Sequence, residues 1–295
     1  MSTMTTFSRS SDAPAADVAA AAWERTPPLR PHEFRRLREL LYETCGIRLR
    51  DGKEELVRSR LGRRVVDAGA PSFAAYLDRI ENDASRRQFA ELGALVDALT
   101  TNQTAFFREP AHFEFFIAKV LPRMAQATQP VRVWSAGCST GEEPFTIAAL
   151  MREHLPADRF AGARILATDV SSRALARARA ATYGARAITA IPATLRRRML
   201  DVSASGDRFV VREELRAVVR FARLNLIRDW PLRGPFDAIF CRNVMIYFDA
   251  GVRQRLVERF WRVLAPGGYL FVGHSESLGT MTHGFRYVQP AVYVR

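Results

Sequence analysis

Lysine is almost absent from this chain of 295 residues, in which Lys53 and Lys119 are the only lysines among 44 basic residues. Set against 31 acidic residues, the basic ones give a formal net charge of +13. A charge of this size predicts an anionic partner, such as nucleic acid, a membrane surface or an acidic protein. Because almost every positive residue is arginine, nucleotide composition explains the bias equally well, and the charge alone assigns no partner.

Cysteine and long apolar runs are also scarce. The three cysteines, Cys45, Cys138 and Cys241, are odd in number and far apart, which excludes a disulfide framework and a zinc spacing. No apolar run reaches the ~18 to 20 residues that span a bilayer, and the N-terminus lacks the basic-then-apolar order of a signal peptide. We therefore expect a cytoplasmic protein without membrane insertion. The five histidines are scattered along the chain and predict no metal site, although His112 and His274 fall beside and within the motifs described below.

The N-terminal third has the composition of a tail followed by a helical domain. Residues 1–28 are rich in Ser, Thr, Ala and Pro, and we expect them to be disordered. Residues 29–99 have a helical period, which predicts a small all-α domain with Ser72 and Asp83 as candidate N-caps. The apolar sets that define its helix faces are Phe34, Leu37 and Leu41; Val57, Leu61 and Val65; Phe73, Leu77 and Ile80; and Phe89, Leu92, Val96 and Leu99.

In residues 100–295, short apolar runs alternate with helical stretches. This alternation predicts βαβ units and a mostly parallel sheet with helices on both faces. The closing GFRYVQPAVYVR is typical of two antiparallel edge strands joined at Pro290. One segment, about 204–223, breaks the alternation beside a polar turn and predicts a small antiparallel β-subdomain. The predicted strands are VRVW (131–134), ARILATD (163–169), AVVRFA (217–222), FDAIFC (236–241) and YLFVGH (269–274).

The first strand-to-helix junction, VRVWSAGCSTGEEPFTIAALM, contains Gly137 and Gly141. Glycines at this place let the backbone approach a ligand at the carboxyl end of a strand. The loop is not the G-x-G-x-x-G of dinucleotide enzymes, and Glu142 and Glu143 would repel a pyrophosphate but suit a ligand with an amino group. The loop therefore favours S-adenosylmethionine over NAD. A tight turn followed by acids that the helix dipole stabilises explains it equally well.

Polar residues also follow two later strands. Asp169 ends the ARILATD run, where a carboxylate can accept hydrogen bonds from both ribose hydroxyls of a nucleoside. The alternative is that Asp169 caps the next helix, which opens at Ser171 or Ser172. Arg242, Asn243 and Tyr247 follow the FDAIFC run and would line the same crevice. In the polar and aromatic segment 99–113, Asn102, Thr104 and Arg108 are explained neither as core nor as helix.

Four motifs, in this order and spacing, resemble the CheR-type chemoreceptor glutamate O-methyltransferases. The likeness extends over about residues 33–294, and GIRLRDGKEELVRSRL (46–61) is similar to the helical N-terminal domain of that family. The resemblance implies an α/β fold: a Rossmann-like S-adenosylmethionine-dependent methyltransferase domain with a small antiparallel β-subdomain, preceded by a small all-α domain. The motifs are LTTNQTAFFRE (99–109), SAGCSTGEEPFTIA (135–148), FDAIFCRNVMIYF (236–248) and LAPGGYLFVGHSE (264–276).

The resemblance also implies a reaction and a set of site residues. A methyl group would pass from S-adenosylmethionine to receptor glutamate carboxylates, giving methyl esters and S-adenosylhomocysteine. Arg108 and Tyr247 would lie nearest the transferring methyl, and Glu142 is a less favoured choice than Glu143. The implied cofactor-binding residues are Asn102, Thr104 and Arg108 from the linker, Glu143, Asp169 at the ribose, Asn225 and Leu226 beside the adenine, and Arg242 and Asn243, which would close the site.

The expected partner is the cytoplasmic helical domain of a chemoreceptor, bound by a monomer. Basic residues outnumber acidic ones between 30 and 64, and Arg58, Arg60, Arg63 and Arg64 are predicted to dock on acidic receptor helices. The alternative for each arginine is a solvated surface. A nucleic-acid methyltransferase is the rival function, but CRNVMIY lacks the Asn/Asp-Pro-Pro-aromatic motif of amino methylation, and no proline precedes Cys241 as in cytosine-5 enzymes. No nucleic-acid partner is therefore expected. A cofactor-binding module without turnover is a second rival.

Overall fold

The computed structural model of the protein describes residues 26–86 and 89–295. Most of the expected disordered tail, residues 1–25, lies outside this part of the chain. The chain divides into two compact units, one formed by Arg50–Leu99 with the described residues up to Arg38, the other by Glu39–Leu49 with Thr100–Arg295. The sequence predicted one domain over residues 29–99, whereas residues 39–49 group with the second unit. No helix in the described ranges is long and apolar enough to cross a membrane.

The first unit is all-α, as the sequence predicted. Its helices are α1 (Pro31–Cys45, which continues into the second unit), α2 (Glu54–Asp67), α3 (Phe73–Ser85) and α4 (Ala90–Leu99). Ser72 caps α3, since its hydroxyl oxygen accepts a hydrogen bond from a backbone N–H three residues on. The assignment of Asp83 as an N-cap is wrong because α3 continues past it. Phe89 is also not a core residue: it precedes α4 and is 53% exposed, while Leu95 takes a buried position on that helix.

The second unit contains a seven-stranded mixed sheet, in the order β6-β2-β1-β7-β8-β10-β9 once its strands are numbered along the chain. The strands β6, β2, β1, β7 and β8 are mutually parallel, and β10 runs antiparallel to both β8 and β9. This confirms the predicted parallel sheet with an antiparallel edge. The strands are β1 (Arg132–Ala136), β2 (Arg164–Asp169), β3 (Thr182–Gly184), β4 (Leu200–Val202), β5 (Arg208–Val211), β6 (Val219–Arg223), β7 (Phe236–Cys241), β8 (Leu264–Val272), β9 (Arg286–Gln289) and β10 (Val292–Val294).

Helices cover both faces of this sheet, which explains why successive strand residues are both apolar. Along β1, Val133 packs into one buried cluster and Trp134 into another. The helices of this unit are α5 (Pro110–Phe115), followed by a π-helical turn (Phe116–Val120), α6 (Leu121–Gln126), α7 (Glu142–His154), α8 (Ala157–Gly162), α9 (Ser172–Ala180), α10 (Ala193–Met199), α11 (Glu213–Ala217) and α12 (Ala250–Val263), with a 3-10 turn at Met245–Tyr247.

The small antiparallel sheet lies earlier in the chain than the sequence predicted. It has the order β3-β5-β4 and therefore spans residues 182–211, not about 204–223. The run FVVR supplies β5, but AVVRFA supplies β6, which pairs in parallel with β2 at the edge of the main sheet. The apolar pattern of β6 is compatible with a strand of either sheet. Its pairing with β2, which the sequence pattern does not show, places it in the main sheet.

Candidate active site

The predicted site residues outside the linker lie at the carboxyl ends of four parallel strands, β1, β2, β7 and, for Asn225 and Leu226, β6. β1 leads into the glycine loop, β2 ends at Asp169, and β7 is followed directly by Arg242. The strand order reverses between β1 and β7, since β2 and β6 extend the sheet on one side and β8 on the other. Open α/β sheets bind ligands in the crevice at such a reversal.

Both glycines of the loop have a left-handed backbone, with φ +86° at Gly137 and +98° at Gly141. A Cβ on Gly137 would lie 2.3 Å from Cγ2 of Val244, and one on Gly141 would lie 2.9 Å from the hydroxyl of Tyr183. The sequence predicted that these glycines make room for a ligand. The structure shows instead that the chain packs against itself at both positions, so glycine is required there in any case.

The carboxylate of Asp169 joins the glycine loop to the next helix. Its Oδ2 accepts a hydrogen bond from the backbone N–H of Ser139 at 2.8 Å, and its Oδ1 accepts one from Ser171 at 2.9 Å. The capping alternative for Asp169 is wrong, because Ser171 caps α9 by accepting a bond from Ala174. Asn102 lies in the same group: its carbonyl oxygen accepts from the Ser139 hydroxyl at 2.9 Å, and its amide donates to the Ser171 hydroxyl at 3.4 Å.

Arg242 lies between two carboxylates. Its side chain is 2% exposed, with Nη1 3.0 Å from Oε2 of Glu143 and Nη2 3.1 Å from Oε2 of Glu109. The Glu143 carboxylate also accepts a hydrogen bond from the hydroxyl of Ser135 at 2.7 Å, and Nη2 of Arg242 donates to the backbone oxygen of Arg108. A buried guanidinium needs such partners because its desolvation is costly. The structure thus brings together three predicted residues, Arg108, Glu143 and Arg242.

Asn243, the next residue, has a left-handed backbone with φ +58°. Its side-chain amide donates to Oε1 of Glu109 at 3.2 Å, and its backbone N–H donates to Oε2 of Glu276 at 2.8 Å. Glu276 is 4% exposed and also accepts from the N–H groups of Gly273 and Ile246. Burial raises the pKa of Glu276 despite these bonds. Glu276 ends the motif LAPGGYLFVGHSE, but it was not among the site residues predicted from the sequence.

The two residues predicted nearest the methyl group lie on loops held by these contacts. Tyr247 ends the 3-10 turn and is half-buried, and its hydroxyl makes no hydrogen bond within the described chain. Arg108 is half-buried, and its Nη1 donates to the backbone oxygen of Gln103 at 3.0 Å. The described residues include no hydrogen bond between these two side chains. Thr104 lies on the same linker and is partly buried.

Asn225 and Leu226 follow β6, and the side-chain bonds of Asn225 go to residues other than those around Arg242. The amide of Asn225 donates to the backbone oxygen of Thr44 at 2.6 Å, which satisfies a carbonyl in the last turn of α1. Its side-chain oxygen accepts from the N–H of Ile227 at 3.2 Å. Leu226 is 7% exposed and packs in the core. Their place beside the adenine stays a prediction.

His112 and His274 both lie beside Glu109. The expectation that the histidines are scattered is therefore wrong for this pair. The rings of His112 and His274 lie 4.8 Å apart, and Oε2 of Glu109 is 3.4 Å from Nδ1 of His112 and 4.0 Å from Nε2 of His274. Burial, together with the charge of Arg242, lowers the pKa of His112 to about 4. His112 is therefore neutral at pH 7. The three side chains are close enough to hold a metal ion.

Carboxylates outnumber cations at this end of the sheet. Glu142 is 7% exposed, accepts a hydrogen bond from the Thr140 hydroxyl at 2.7 Å, and has its pKa raised by burial. Such a surface suits a ligand with positive charge and disfavours a pyrophosphate. The acids are Glu109, Glu142, Glu143, Asp169 and Glu276, against the cations of Arg108, Arg223 and Arg242.

Comparisons with known proteins agree with the sequence resemblance. The family description "CheR methyltransferase, SAM binding domain" matches residues 102–294, and "CheR methyltransferase, all-alpha domain" matches residues 32–100.

Curated relatives match over most of their length. A chemotaxis protein methyltransferase of Borreliella burgdorferi is 38% identical over 268 residues, covering 88% of this chain and 93% of that protein. Chemotaxis protein methyltransferase 2 of Pseudomonas aeruginosa is 40% identical (88% and 92% covered), and the Klebsiella aerogenes enzyme is 40% identical (93% and 93%). Among solved structures, the N-methyltransferase NodS of Bradyrhizobium japonicum shares 16% identity at a TM-score of 0.32, over 58% of this chain and 63% of that one.

Proposed function

Because this chain belongs to the CheR methyltransferase family, we propose that it methylates glutamate side-chain carboxylates of chemoreceptors, with S-adenosylmethionine as the methyl donor. The observation that best supports this proposal is the group of buried and half-buried carboxylates at the strand-order reversal between β1 and β7. A nucleoside ligand with positive charge would bind there. The relatives named above are chemotaxis protein methyltransferases, and a chemoreceptor is the substrate that this name implies.

The residues at the crevice fit this cofactor. When bound, S-adenosylmethionine supplies an electrophilic methyl group on a positively charged sulfonium. Asp169 keeps carboxylate lone pairs beyond its two backbone hydrogen bonds, so it can also accept from ribose hydroxyls. Glu143 presents a carboxylate to an amino group, with Arg242 holding it in place. Asn102 and Thr104 from the linker, and Asn225 and Leu226 after β6, complete the proposed contacts.

The acceptor carboxylate needs no general base, because it is already ionised at neutral pH. The contribution of the protein is therefore positioning and exclusion of water. Arg108 would orient the incoming carboxylate through paired hydrogen bonds, and the Tyr247 hydroxyl, which has no partner within the described chain, would donate one more. The negative charge of the carboxylate and the positive charge of the sulfonium both disappear as the methyl group is transferred. Water stabilises these charged reactants more than the transition state, so a site that excludes water and holds the acceptor in line favours the transfer.

The receptor-docking role of the first unit rests on fewer arginines than the sequence predicted. Arg64 is paired with Glu91, with both carboxylate oxygens 3.0 Å from Nη2, and Arg60 donates to the backbone oxygen of Leu99. At about 100° per residue along a helix, Arg58 lies away from the other three arginines. Arg63 is 77% exposed, and its ion pair with Asp67 (3.6 Å, one helical turn further on) is exposed as well, so it is the docking arginine we favour.

The test compares acceptors. The purified protein is incubated with labelled S-adenosylmethionine and, in separate reactions, a chemoreceptor cytoplasmic fragment, total RNA and duplex DNA. We expect label in the receptor fragment alone. Label in RNA or DNA at physiological salt, with none in the receptor, would support the nucleic-acid function instead. Cofactor binding without transfer to any acceptor would indicate a binding module.

A further inference from the structure

We propose that Glu109 is a positioning residue for methyl transfer, which acts by fixing Arg242 and Asn243 at the end of β7. The inference rests on the proposed function only in that Arg242 and Asn243 are taken to close the cofactor site. Glu109 was not among the residues that the sequence singled out. It follows Arg108 in the linker and directly precedes α5.

The backbone of Glu109 is in an uncommon conformation. Its φ is +56° and its ψ is 69°, in the left-handed region that residues other than glycine rarely adopt. Phe107, two residues earlier, also has a positive φ, of 54°. Such conformations persist only where surrounding contacts fix them, and they concentrate at functional sites. Backbone bonds contribute to fixing this one, since the backbone oxygen of Glu109 accepts from the N–H of His112 at 3.2 Å, and the Glu109 carboxylate adds two side-chain contacts.

Each oxygen of that carboxylate has its own partner from the loop after β7. Oε1 accepts from the side-chain amide of Asn243 at 3.2 Å, and Oε2 accepts from Nη2 of Arg242 at 3.1 Å. The Glu109 side chain is only 14% exposed. Burial opposes its ionisation, but Arg242 and Asn243 outweigh this effect, and the pKa of Glu109 lies below its usual range. Glu109 is thus an ionised carboxylate that binds two neighbouring site residues at once.

The opposite end of the Arg242 guanidinium reaches Glu143, whose other oxygen is held by Ser135. Glu109 and Glu143 therefore fix the two terminal nitrogens of Arg242, Nη2 and Nη1, and the orientation of Glu143 depends on Glu109 through this guanidinium. Neutralising Glu109 would leave Arg242 with one carboxylate partner. Loss of charge at Glu109 should therefore weaken cofactor binding through Glu143, a residue that Glu109 does not contact.

A metal ion is the competing use for Glu109, because His112 and His274 lie beside it. His112 is fully buried, and neither of its ring nitrogens has a hydrogen-bond partner in the described residues. However, the buried guanidinium of Arg242 is 3.1 Å from Oε2, the oxygen that faces both histidines. A cation bound there would lie next to a positive charge that water cannot screen. We therefore assign the carboxylate to Arg242 and Asn243.

The test uses Glu109→Gln, which keeps the shape of the side chain and removes its charge. Glu114→Gln is the matched control, since Glu114 is an exposed glutamate on α5, the short helix that Glu109 directly precedes. Binding of S-adenosylhomocysteine is measured by calorimetry, without receptor. We expect Glu109→Gln to weaken binding about tenfold, as for loss of charge-assisted hydrogen bonds, and Glu114→Gln to leave it unchanged. Wild-type affinity in Glu109→Gln would overturn the proposal.

A double-mutant cycle separates positioning from a general loss of structure. If Glu109 acts through Asn243, the double variant Glu109→Gln/Asn243→Ala should bind more tightly than the product of the two single losses predicts. Losses that simply multiply would show independent action and overturn the proposal. Glu109→Asp, which keeps the charge, should recover part of the affinity. In turnover assays, the KM for S-adenosylmethionine should rise in Glu109→Gln while the KM for receptor stays the same.

The two proposals fail in different ways. A wild-type protein that binds S-adenosylhomocysteine but methylates no receptor would contradict the proposed function, and the cycle at Glu109 would still test positioning. A wild-type protein that methylates receptor, with Glu109→Gln equal to it in cofactor affinity, would contradict positioning alone.

Discussion

The hydroxyl of Tyr183 donates a hydrogen bond to the backbone oxygen of Thr140 at 2.8 Å. This bond ties β3, in the small antiparallel sheet, to the glycine loop of the main sheet. Phe106 from the linker packs edge-on against the Tyr183 ring, with centroids 4.9 Å apart. Linker, glycine loop and small sheet therefore meet at one aromatic side chain.

Tyr183→Phe should destabilise the protein and weaken cofactor binding. The change keeps the ring packing but leaves the Thr140 carbonyl without this donor, which costs about 1 kcal/mol. Urea unfolding measures the free energy, and calorimetry measures the affinity for S-adenosylhomocysteine. Tyr287→Phe, at a tyrosine that is 58% exposed, is the control. Equal unfolding free energies for Tyr183→Phe and wild type would show that the bond contributes nothing to stability.

Gly137→Ala should be strongly destabilising. Alanine disfavours the φ of +86°, and its methyl group would lie 2.3 Å from Cγ2 of Val244; together these should cost more than ~1 kcal/mol. Val244→Ala in the same chain removes the clash but not the strain, so it should recover part of the loss. Gly162→Ala is the control, since nothing lies within 4 Å of a Cβ at Gly162. Equal stability of Gly137→Ala and Gly162→Ala would contradict the packing argument.

His112 should make the protein less stable as the pH falls. Its pKa is about 4 in the folded state against about 6.5 in an unfolded chain, so the unfolded state binds more protons between these values. Stability is therefore lost on acidification from about pH 6.5, by about 2 kcal/mol between pH 7 and pH 5. Chemical unfolding at both pH values measures this difference. In His112→Gln the drop should be smaller by about that amount, and a drop equal to that of wild type would contradict this role of His112.

Arg63 and Arg64 should respond differently to charge reversal. Arg63 is 77% exposed and its ion pair with Asp67 is solvated and weak, so Arg63→Glu should raise the KM for receptor and leave the affinity for S-adenosylhomocysteine unchanged. Arg64→Glu would place a negative charge beside Glu91, its present partner, and should lower the melting temperature. Receptor kinetics and thermal unfolding are measured on both variants. A receptor KM unaffected by Arg63→Glu would argue for a solvated arginine there.

The sequence predicted the fold class and most strands because apolar periodicity is a local property. FDAIFC forms a strand with the predicted bounds, and the two closing strands are antiparallel as predicted. The prediction was wrong where pairing over a distance decides the structure. The strand Val219–Arg223 joins the main sheet because of its register with β2, which no local pattern shows.

The candidate site was predicted less completely, for the same reason. Each predicted residue lies shortly after a strand, at its end or in the linker, but the residues that hold them come from distant parts of the chain. Glu109 meets Arg242 across 133 residues, and Glu276 meets Asn243 across 33. The one local signal for Glu109 and Glu276 is a carboxylate inside a motif, and this signal is weaker than that of the acids in the glycine loop and at the end of β2.

The chemical nature of the methylated product tests the central claim most directly. Receptor methylated with labelled S-adenosylmethionine is treated with mild base, and the volatile fraction is collected and counted. Glutamate methyl esters hydrolyse under these conditions, so the account predicts that the label leaves the receptor as methanol. Label that stays on the receptor through this treatment would mean methylation at nitrogen or another base-stable position, and would contradict a carboxylate acceptor.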